Sequence, residues 1–306
     1  MNPFFRAYTA ARVHLLRPVI RVRGALLRRL SPAPAPRLDT NLDEMPILVL
    51  GCHRSGTSLL RRCLNSHSRI ACPAETLFLE SLSAMLEYPD ADKGLAAIDL
   101  SRQAAAADLR KLVDKWMRGH AERQGKPRWA DKSPGVLAHL DGLERLMGEE
   151  ARYVAIVRDG MDVAYSLGSA RPRWWQLAPF VEADDDLFLA AARYWADRNR
   201  KLRAFVDAHP TRVHVLRYEV LIRHPEETLR AVFRFLGEAW EPDILDFNRH
   251  GHVHGLEDHH VSTTTTFEDN TGKHRRLAQP QQVKMWDIVA PTMKAFGYDD
   301  RTYATV

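Results

Sequence analysis

Beyond residue 45, the hydrophobic positions follow two different spacings. The short apolar runs of strand length are ILVL at 47–50, RYVAIV at 152–157 and RVHVLR at 212–217. Apolar residues recur at helical spacing at about 57–66, 104–119, 136–147, 184–208, 225–236 and 279–295. Strands separated by long helical segments are typical of parallel sheets with crossover helices, so we predict an α/β fold with a central parallel sheet flanked by helices.

The N-terminal segment has a different pattern. Residues 1–30 alternate arginine with Phe, Val, Leu and Ile at loosely helical spacing, and SPAPAPRLD then indicates an extended spacer. We therefore expect a basic helix with a Pro-Ala linker at 1–45 and one domain at 46–306. The helix would dock on its own domain or fray, or it would bind a membrane surface or a partner, and the sequence leaves these interpretations open.

Charge and cysteine content narrow the function classes. The net charge is +5, and seven arginines lie in the first thirty residues without any Asp or Glu, so the remainder carries about −2. A nucleic-acid-binding face on the domain is therefore not expected. Three cysteines crowded at 52, 63 and 72 do not form a disulfide framework. With no apolar run of about eighteen residues, we predict a cytoplasmic protein, with peripheral membrane contact through the basic helix as the open alternative.

The clearest motif follows the first predicted strand. ILVLGCHRSGTSLLRRCL joins a buried strand, a loop bounded by Gly51 and Gly56, and a helix, which together form a phosphate cradle. The spacing matches a nucleotide-binding P-loop up to the next position, where Thr57 stands in place of the lysine. The cation lies within the loop instead, at Arg54, while Ser55 and Ser58 add hydroxyl donors. The alternative is an ordinary Gly-containing turn.

A second motif follows the strand RYVAIV. Arg158 is placed at the carboxyl end of that strand, and Ser166 lies eight residues later, in a following helix. Taken alone, the Arg-Asp pair is also typical of a structural salt bridge. We expect Asp159 to cap the helix or to orient Arg158.

These motifs resemble those of the sulfotransferases that use 3'-phosphoadenosine-5'-phosphosulfate (PAPS). From Arg54 onward, GCHRSGTSLL is similar to the family's 5'-phosphosulfate loop, Arg-Ser-Gly-Thr-Thr-Leu-Leu, with Ser58 replacing the second threonine and His53 where the family often has proline. The resemblance implies a P-loop-like three-layer α/β fold, PAPS as donor and PAP as product. The 5'-phosphosulfate would be bound by Arg54, Ser55, Gly56, Thr57 and Ser58.

The resemblance extends to the other nucleotide contacts. It implies that Arg158 and Ser166 bind the 3'-phosphate. Tyr218 falls where relatives have a tyrosine near the nucleotide, and the alternative is a tyrosine packed at a strand end. NTGKHRRL at 270–277 resembles the late basic loop that covers the nucleotide, where we choose Lys273, with Arg275 and Arg276 as close competitors.

The resemblance also implies catalytic roles. Protein-tyrosine sulfotransferases and their bacterial relatives have a Glu-Thr pair at the place of Glu75, 21 residues after Arg54, and use the glutamate as general base. The alternative is that Glu75 caps a helix beginning near Thr76. Lys132 in RWADKSPGVL matches the family's Lys-x-Pro segment and would stabilise the leaving oxygen together with Arg54, whereas the alternative is a solvated lysine in a Ser-Pro turn.

Two other groups of residues are weaker candidates. The histidines at 250, 252, 254, 259 and 260 lack the spacing and partners of a usual zinc site, so we predict no catalytic metal. Trp174, Trp175 and Trp195 would line an acceptor groove or fill the core.

The sequence therefore predicts a sulfotransferase acting on an acceptor hydroxyl, with Glu75 as base. Two alternatives are a nucleotide-dependent kinase or NTPase, and a non-catalytic nucleotide-binding protein. The acceptor stays open between carbohydrate, lipid, small molecule and peptide tyrosine, because specificity is expected from the loops at 86–127 and 170–190. The oligomeric state is equally open.

Overall fold

A computed structural model describes residues 45–170, 174–182, 186–252, 255 and 265–298. The predicted basic helix and linker lie outside the described residues except for Met45, so that division of the chain stays a prediction. Within the described residues, no helix is both long enough and apolar enough to cross a bilayer.

A parallel sheet forms the centre of the described domain. Its strands are β1 Ile47–Leu50, β2 Ile70–Ala71, β3 Arg128–Lys132, β4 Arg152–Val157 and β5 Val213–Arg217. They lie in the order β2-β3-β1-β4-β5, and every described pairing is parallel. This confirms the predicted α/β class and the three predicted strands.

The α-helices of the described residues are α1 Thr57–Ser66, α2 Phe78–Glu87, α3 Ala91–Ala96, α4 Arg102–Arg123, α5 Leu140–Met147, α6 Gly160–Gly168, α7 Leu187–Ala208, α8 Tyr218–Arg223, α9 Pro225–Leu236 and α10 Gln279–Ala295. Short 3₁₀ helices lie at Pro134–Ala138, Trp175–Phe180, Pro242–Arg249 and Lys273–Arg276. The predicted bounds of α1, α9 and α10 are confirmed. The single helix predicted over 136–147 is wrong at its start, where the first turn is a 3₁₀ helix that begins at Pro134.

The strands separate two hydrophobic clusters. Leu48 and Leu50 belong to one cluster, whereas Ile47 and Val49 belong to the other. Because successive side chains of a strand point to opposite faces of the sheet, this division shows that both faces are covered. The domain therefore has three layers, with helices on either side of the sheet.

Parallel strands bring their carboxyl ends to one edge. In the pairing of β1 with β3, Val49 lies opposite Lys132, and in the pairing of β1 with β4, Leu50 lies opposite Ala155. The loop after β1, the end of β3 and Arg158 after β4 therefore open on the same edge, where ligands of open α/β sheets bind.

The contact between α2 and α5 gives a test of this packing. A Cβ on Gly142 of α5 would lie 1.9 Å from the carbonyl oxygen of Ser83 in α2, and backbone cannot move aside as a side-chain end can. We predict that Gly142→Ala lowers the free energy of unfolding by about 1–3 kcal/mol in urea denaturation. Gly94→Ala in α3 is the matched control, because a Cβ there meets nothing within 4 Å. Equal effects of the two substitutions would contradict the close contact.

Candidate functional site

The loop between β1 and α1 is shaped by two glycines. Gly56 caps α1 with φ of +93°, and a Cβ there would lie 2.5 Å from the ring of Tyr218. A Cβ on Gly51 would lie 2.6 Å from Cγ2 of Thr57 and 2.8 Å from the carbonyl oxygen of Ile156. Both positions therefore require glycine, as a backbone wrapped closely around a ligand often does.

The polar groups of this loop are suited to an anion. Ser55, Thr57 and Ser58 are all buried, and the first turn of α1 contains no acidic residue. The hydroxyl of Ser55 is buried and has no hydrogen-bond partner among the described residues. A buried hydroxyl without a partner is costly, and an anionic oxygen at the positive end of α1 would satisfy it.

The loop is joined to the second motif through arginines. Nε of Arg54 donates to the hydroxyl of Ser166 at 3.0 Å, and Nη1 of Arg158 donates to the carbonyl oxygen of Arg54 at 3.1 Å. The guanidinium of Arg158 lies 4.4 Å above the centre of the Tyr218 ring, and its buried Nε has no partner. Four of the residues that the sequence singled out for nucleotide binding thus converge.

The candidate base and the second cation also meet. Nζ of Lys132 donates to Oε1 of Glu75 at 2.6 Å and to the hydroxyl of Ser58 at 3.3 Å. The side chain of Lys132 is fully buried, so the alternative of a solvated lysine in a turn is wrong. Capping by Glu75 is also not found, because α2 begins at Phe78 after Leu77 and its N-cap makes no side-chain hydrogen bond.

The segment that carries Glu75 is held to strand β3 by the next residue, Thr76. The hydroxyl of Thr76 donates to Oδ1 of Asp131 at 2.7 Å. Burial raises the pKa of Asp131 to about 6, although the hydrogen bond from Thr76 opposes that rise. Sequence reasoning missed this pair, because an aspartate inside the strand RWADK gives no sign that it will be buried.

His53 is a buried residue of the loop between β1 and α1. Its Nδ1 shares a hydrogen bond with the hydroxyl of Tyr194, and its ring lies edge-on to Trp174 at 4.7 Å. Burial, together with the charges of Lys132, Arg198 and Arg54, lowers the pKa of His53 to about 3. The side chain is therefore neutral at physiological pH and packs as a buried, uncharged part of the loop.

The three tryptophans have different environments. Trp195 is fully buried in the core, and its Nε1 donates to the carbonyl oxygen of Arg158 at 3.1 Å. Trp175 is 76 % exposed, and Trp174 is partly buried against the core. The core alternative therefore holds for Trp195, while the acceptor-groove interpretation stays a prediction for the other two.

The late basic loop reaches the same edge of the sheet. Nη2 of Arg158 donates to the carbonyl oxygen of Asn270 at 2.7 Å, and the amide oxygen of Asn270 accepts from Nζ of Lys273 at 2.7 Å. Lys273, Arg275 and Arg276 are exposed. The choice among them as nucleotide ligand stays a prediction.

Three potential metal ligands lie close together within the described residues. Asp159, Asp162 and His274 have potential ligand atoms within 4.8 Å of one another. Asp159 accepts the N–H groups of Met161 and Asp162 as the helix cap that the sequence predicts. Of the loop histidines, only 250 and 252 are described, and both lie within hydrogen-bonding distance of backbone carbonyls, of Asp243 and Phe247. The prediction of no catalytic metal stays a prediction.

Comparison with known proteins identifies the family. A sulfotransferase family model matches residues 46–242. The chain belongs to the sulfotransferase family. The match covers the loop after β1, Glu75, Lys132, Arg158, Ser166 and Tyr218, and ends before Lys273.

Curated relatives of this sulfotransferase include enzymes that act on protein. It is 25 % identical to protein-tyrosine sulfotransferase A of Caenorhabditis elegans over 270 residues, 83 % of this chain and 67 % of that protein. It is 24 % identical to protein-tyrosine sulfotransferase 2 of Gallus gallus over 212 residues, 66 % of this chain and 54 % of that protein. The chain thus spans only about half of the chicken relative.

Solved structures support the fold. The sulfotransferase domain from the curacin biosynthetic pathway matches with a TM-score of 0.59 at 22 % identity, covering 85 % of this chain and 99 % of that one. The sulfotransferase domain of the Synechococcus PCC 7002 olefin synthase matches with a TM-score of 0.58 at 20 % identity, covering 88 % and 99 %. The P-loop-like α/β fold is therefore confirmed.

The neutral, buried state of His53 predicts a pH dependence. Its pKa of about 3 in the folded protein lies below the ordinary value of 6.5, so only the unfolded chain gains this proton as the pH falls below 6.5. Stability is therefore full above pH 6.5 and is lost as the pH falls towards 3. We predict that in His53→Gln the free energy of unfolding falls less steeply between pH 6.5 and 5 than in the wild type. The slope should decrease by up to about 1.4 kcal/mol per pH unit, measured by urea denaturation at each pH. An unchanged slope in His53→Gln would contradict the assignment.

Proposed function

We propose that this sulfotransferase transfers a sulfuryl group from PAPS to an acceptor hydroxyl, with Glu75 as general base. The position of the Lys132 ammonium, between the hydroxyl of Ser58 and the carboxylate of Glu75, carries the proposal. In that arrangement the phosphosulfate loop, the cation and the base meet at one point. Sulfuryl transfer requires this convergence, because proton removal and leaving-group stabilisation occur in the same step.

The residues present fit the two anionic ends of PAPS. At the 5' end, Ser55 offers a buried hydroxyl without a partner, and Gly56, Thr57 and Ser58 begin a helix whose positive end favours an anion. Arg54 adds a guanidinium that can bind two oxyanions at once. We assign the 5'-phosphosulfate to this loop.

The 3'-phosphate is assigned to the second motif. Nε of Arg158 is buried without a partner, and Ser166 is held beside Arg54 by a hydrogen bond of 3.0 Å. Tyr218 lies under the Arg158 guanidinium and would contact the nucleotide, while Lys273 would reach it from the late basic loop.

The chemistry follows from these positions. Glu75 takes the proton of the acceptor hydroxyl as the acceptor oxygen forms a bond to sulfur, and the bond between sulfur and the bridging oxygen of the phosphosulfate breaks. The electron pair of that bond stays on the bridging oxygen, so the 5'-phosphate of the departing PAP gains one negative charge, which Lys132 and Arg54 stabilise. Because Lys132 donates to Glu75 before the reaction, its ammonium has to change partner from the carboxylate to the bridging oxygen.

The acceptor is proposed only by class. Similarity to protein-tyrosine sulfotransferases favours a large or exposed hydroxyl acceptor. The kinase or NTPase alternative lacks a supporting observation, because Thr57 occupies the position of the P-loop lysine and the family match is to sulfotransferases.

Replacement of the base separates chemistry from binding. We predict that Glu75→Gln lowers kcat by about 10²- to 10⁴-fold, because the amide cannot take the acceptor proton. The measurement is sulfate transfer from labelled PAPS to a generic phenolic or carbohydrate acceptor. PAP affinity should remain within the wild-type range. Glu87→Gln is the control, since that carboxylate instead pairs with His139 at 3.3 Å. Full activity of Glu75→Gln would remove Glu75 from the mechanism.

The donor is tested by calorimetry in the absence of magnesium. We predict tight binding of PAP and much poorer binding of ATP, with Arg158→Ala raising the Kd for PAP by about 10- to 100-fold through lost charged hydrogen bonds. Arg230→Ala is the control, because that arginine pairs with Glu226 on the exposed face of α9. A preference for magnesium-ATP over PAP would instead support a kinase-like site.

A further inference from the structure

The segment at 268–276, here named the cover segment, is held against the proposed nucleotide site at three places. The hydroxyl of Tyr218 donates to the carbonyl oxygen of Glu268 at 3.4 Å. Nη2 of Arg158 donates to the carbonyl oxygen of Asn270 at 2.7 Å. Asp162 forms the third anchor, and it is the one that has no part in the nucleotide contacts assigned above.

Asp162 makes more contacts with the cover segment than either other anchor. Its Oδ2 accepts the N–H of Gly272 at 2.7 Å, while its Oδ1 accepts the N–H of His274 at 3.2 Å and faces Nδ1 of His274 at 2.9 Å. The side chain of Asp162 is 2 % exposed and that of His274 is 5 % exposed. Both oxygens of this buried carboxylate accept N–H groups of the cover segment, so Asp162 is a structural anchor for that segment.

The charge of this anchor is fixed by its surroundings. Burial alone would raise the pKa of Asp162, but the hydrogen bonds from His274 and Gly272, together with the electrostatic interactions with His274 and Arg158, outweigh burial and lower it. Burial and the Asp162 carboxylate together raise the pKa of the neighbouring Asp159. The negative charge of the pair is therefore held on Asp162, the member that faces the cover segment.

The anchor determines the direction of the basic residues that follow. Gly272 has φ of +73° and begins the 3₁₀ helix Lys273–Arg276. In that turn only His274 is buried, where it meets Asp162, while Lys273, Arg275 and Arg276 are exposed. Fixing Gly272 and His274 therefore also fixes where the three exposed cations lie relative to Arg158.

We propose that Asp162 is a positioning residue for recognition of the 3'-phosphate, acting through its grip on Gly272 and His274 of the cover segment. This inference rests on the proposed use of PAPS. Asp162 would not touch the nucleotide. It would hold the cover segment so that Arg158 and the basic turn face the same phosphate.

The test compares PAP with AMP, which differ by the 3'-phosphate alone. In Asp162→Asn, one of the two accepting oxygens is replaced by an NH₂ group, which cannot accept a hydrogen bond. The single remaining oxygen cannot serve the N–H of Gly272, the N–H of His274 and Nδ1 of His274 together. We expect the Kd for PAP to rise about tenfold or more, as for the loss of hydrogen bonds to a charged group, while the Kd for AMP stays unchanged. The preference for PAP over AMP should fall by the same factor, whereas a merely structural role would weaken both ligands together.

Two further variants keep the test decisive if Asp162→Asn folds poorly. His274→Ala removes the facing side chain and should lower the preference for PAP. His274→Asn places an amide N–H near the position of Nδ1 and should restore much of it. Asp186→Asn is the matched control, because Asp186 also accepts two backbone N–H groups, those of Phe188 and Leu189, but it caps α7 and does not contact the cover segment.

The outcomes separate the two proposals. If the wild-type protein does not prefer PAP to AMP, the proposed donor is wrong. If the wild-type protein does prefer PAP and the preference survives in Asp162→Asn and His274→Ala, the donor stands and the positioning role is wrong. Loss of both ligands in parallel would also overturn the positioning role.

Discussion

The site depends on one fully buried positive charge. An ammonium without solvent is stable only beside groups that compensate its lost hydration, and Lys132 has two, the Glu75 carboxylate at 2.6 Å and the Ser58 hydroxyl at 3.3 Å. The ammonium and its two partners come from three separate parts of the chain, the end of β3, the segment after β2 and the start of α1. The requirement to satisfy this charge therefore holds the candidate base and the anion loop at a fixed separation.

A second cation extends the same arrangement towards the 3' side. Arg158 spans from the carbonyl oxygen of Arg54 to that of Asn270 and stacks on Tyr218. Its hydrogen-bond acceptors are carbonyl oxygens, which carry only partial charge. Lys132 differs in this respect, because its ammonium is already paired with a carboxylate. The two cations therefore suit the different roles proposed for them. Arg158 would bind an anion, and Lys132 would exchange partners during the reaction.

Local patterns in the sequence were sufficient to predict the strand and the helix on either side of the loop between β1 and α1. The apolar run ILVL and the glycines after it predict β1, the cradle and α1 because each signal lies within a few residues. β3 was missed because RWADK is mixed in polarity, and its burial is decided by β1 and β2 on either side. The burial of Lys132 and the pairing of Thr76 with Asp131 could not be predicted for the same reason. The Asp162 and His274 contact joins residues 112 positions apart, which no local pattern contains.

The two proposed anion sites are linked directly by hydrogen bonds. The hydrogen bond from Arg54 to Ser166 and the hydrogen bond from Arg158 to the Arg54 carbonyl connect the loop after β1 directly to the motif after β4. Arg54 holds this connection with φ of 72°, a conformation that costs a non-glycine residue energy and that persists only where the surroundings enforce it. A displacement of Arg158 on the 3' side would therefore move the carbonyl oxygen of Arg54, and with it the guanidinium proposed to stabilise the leaving group. Binding energy gained at the nucleotide end, far from the reacting sulfur, can in this way be used to align the reacting end.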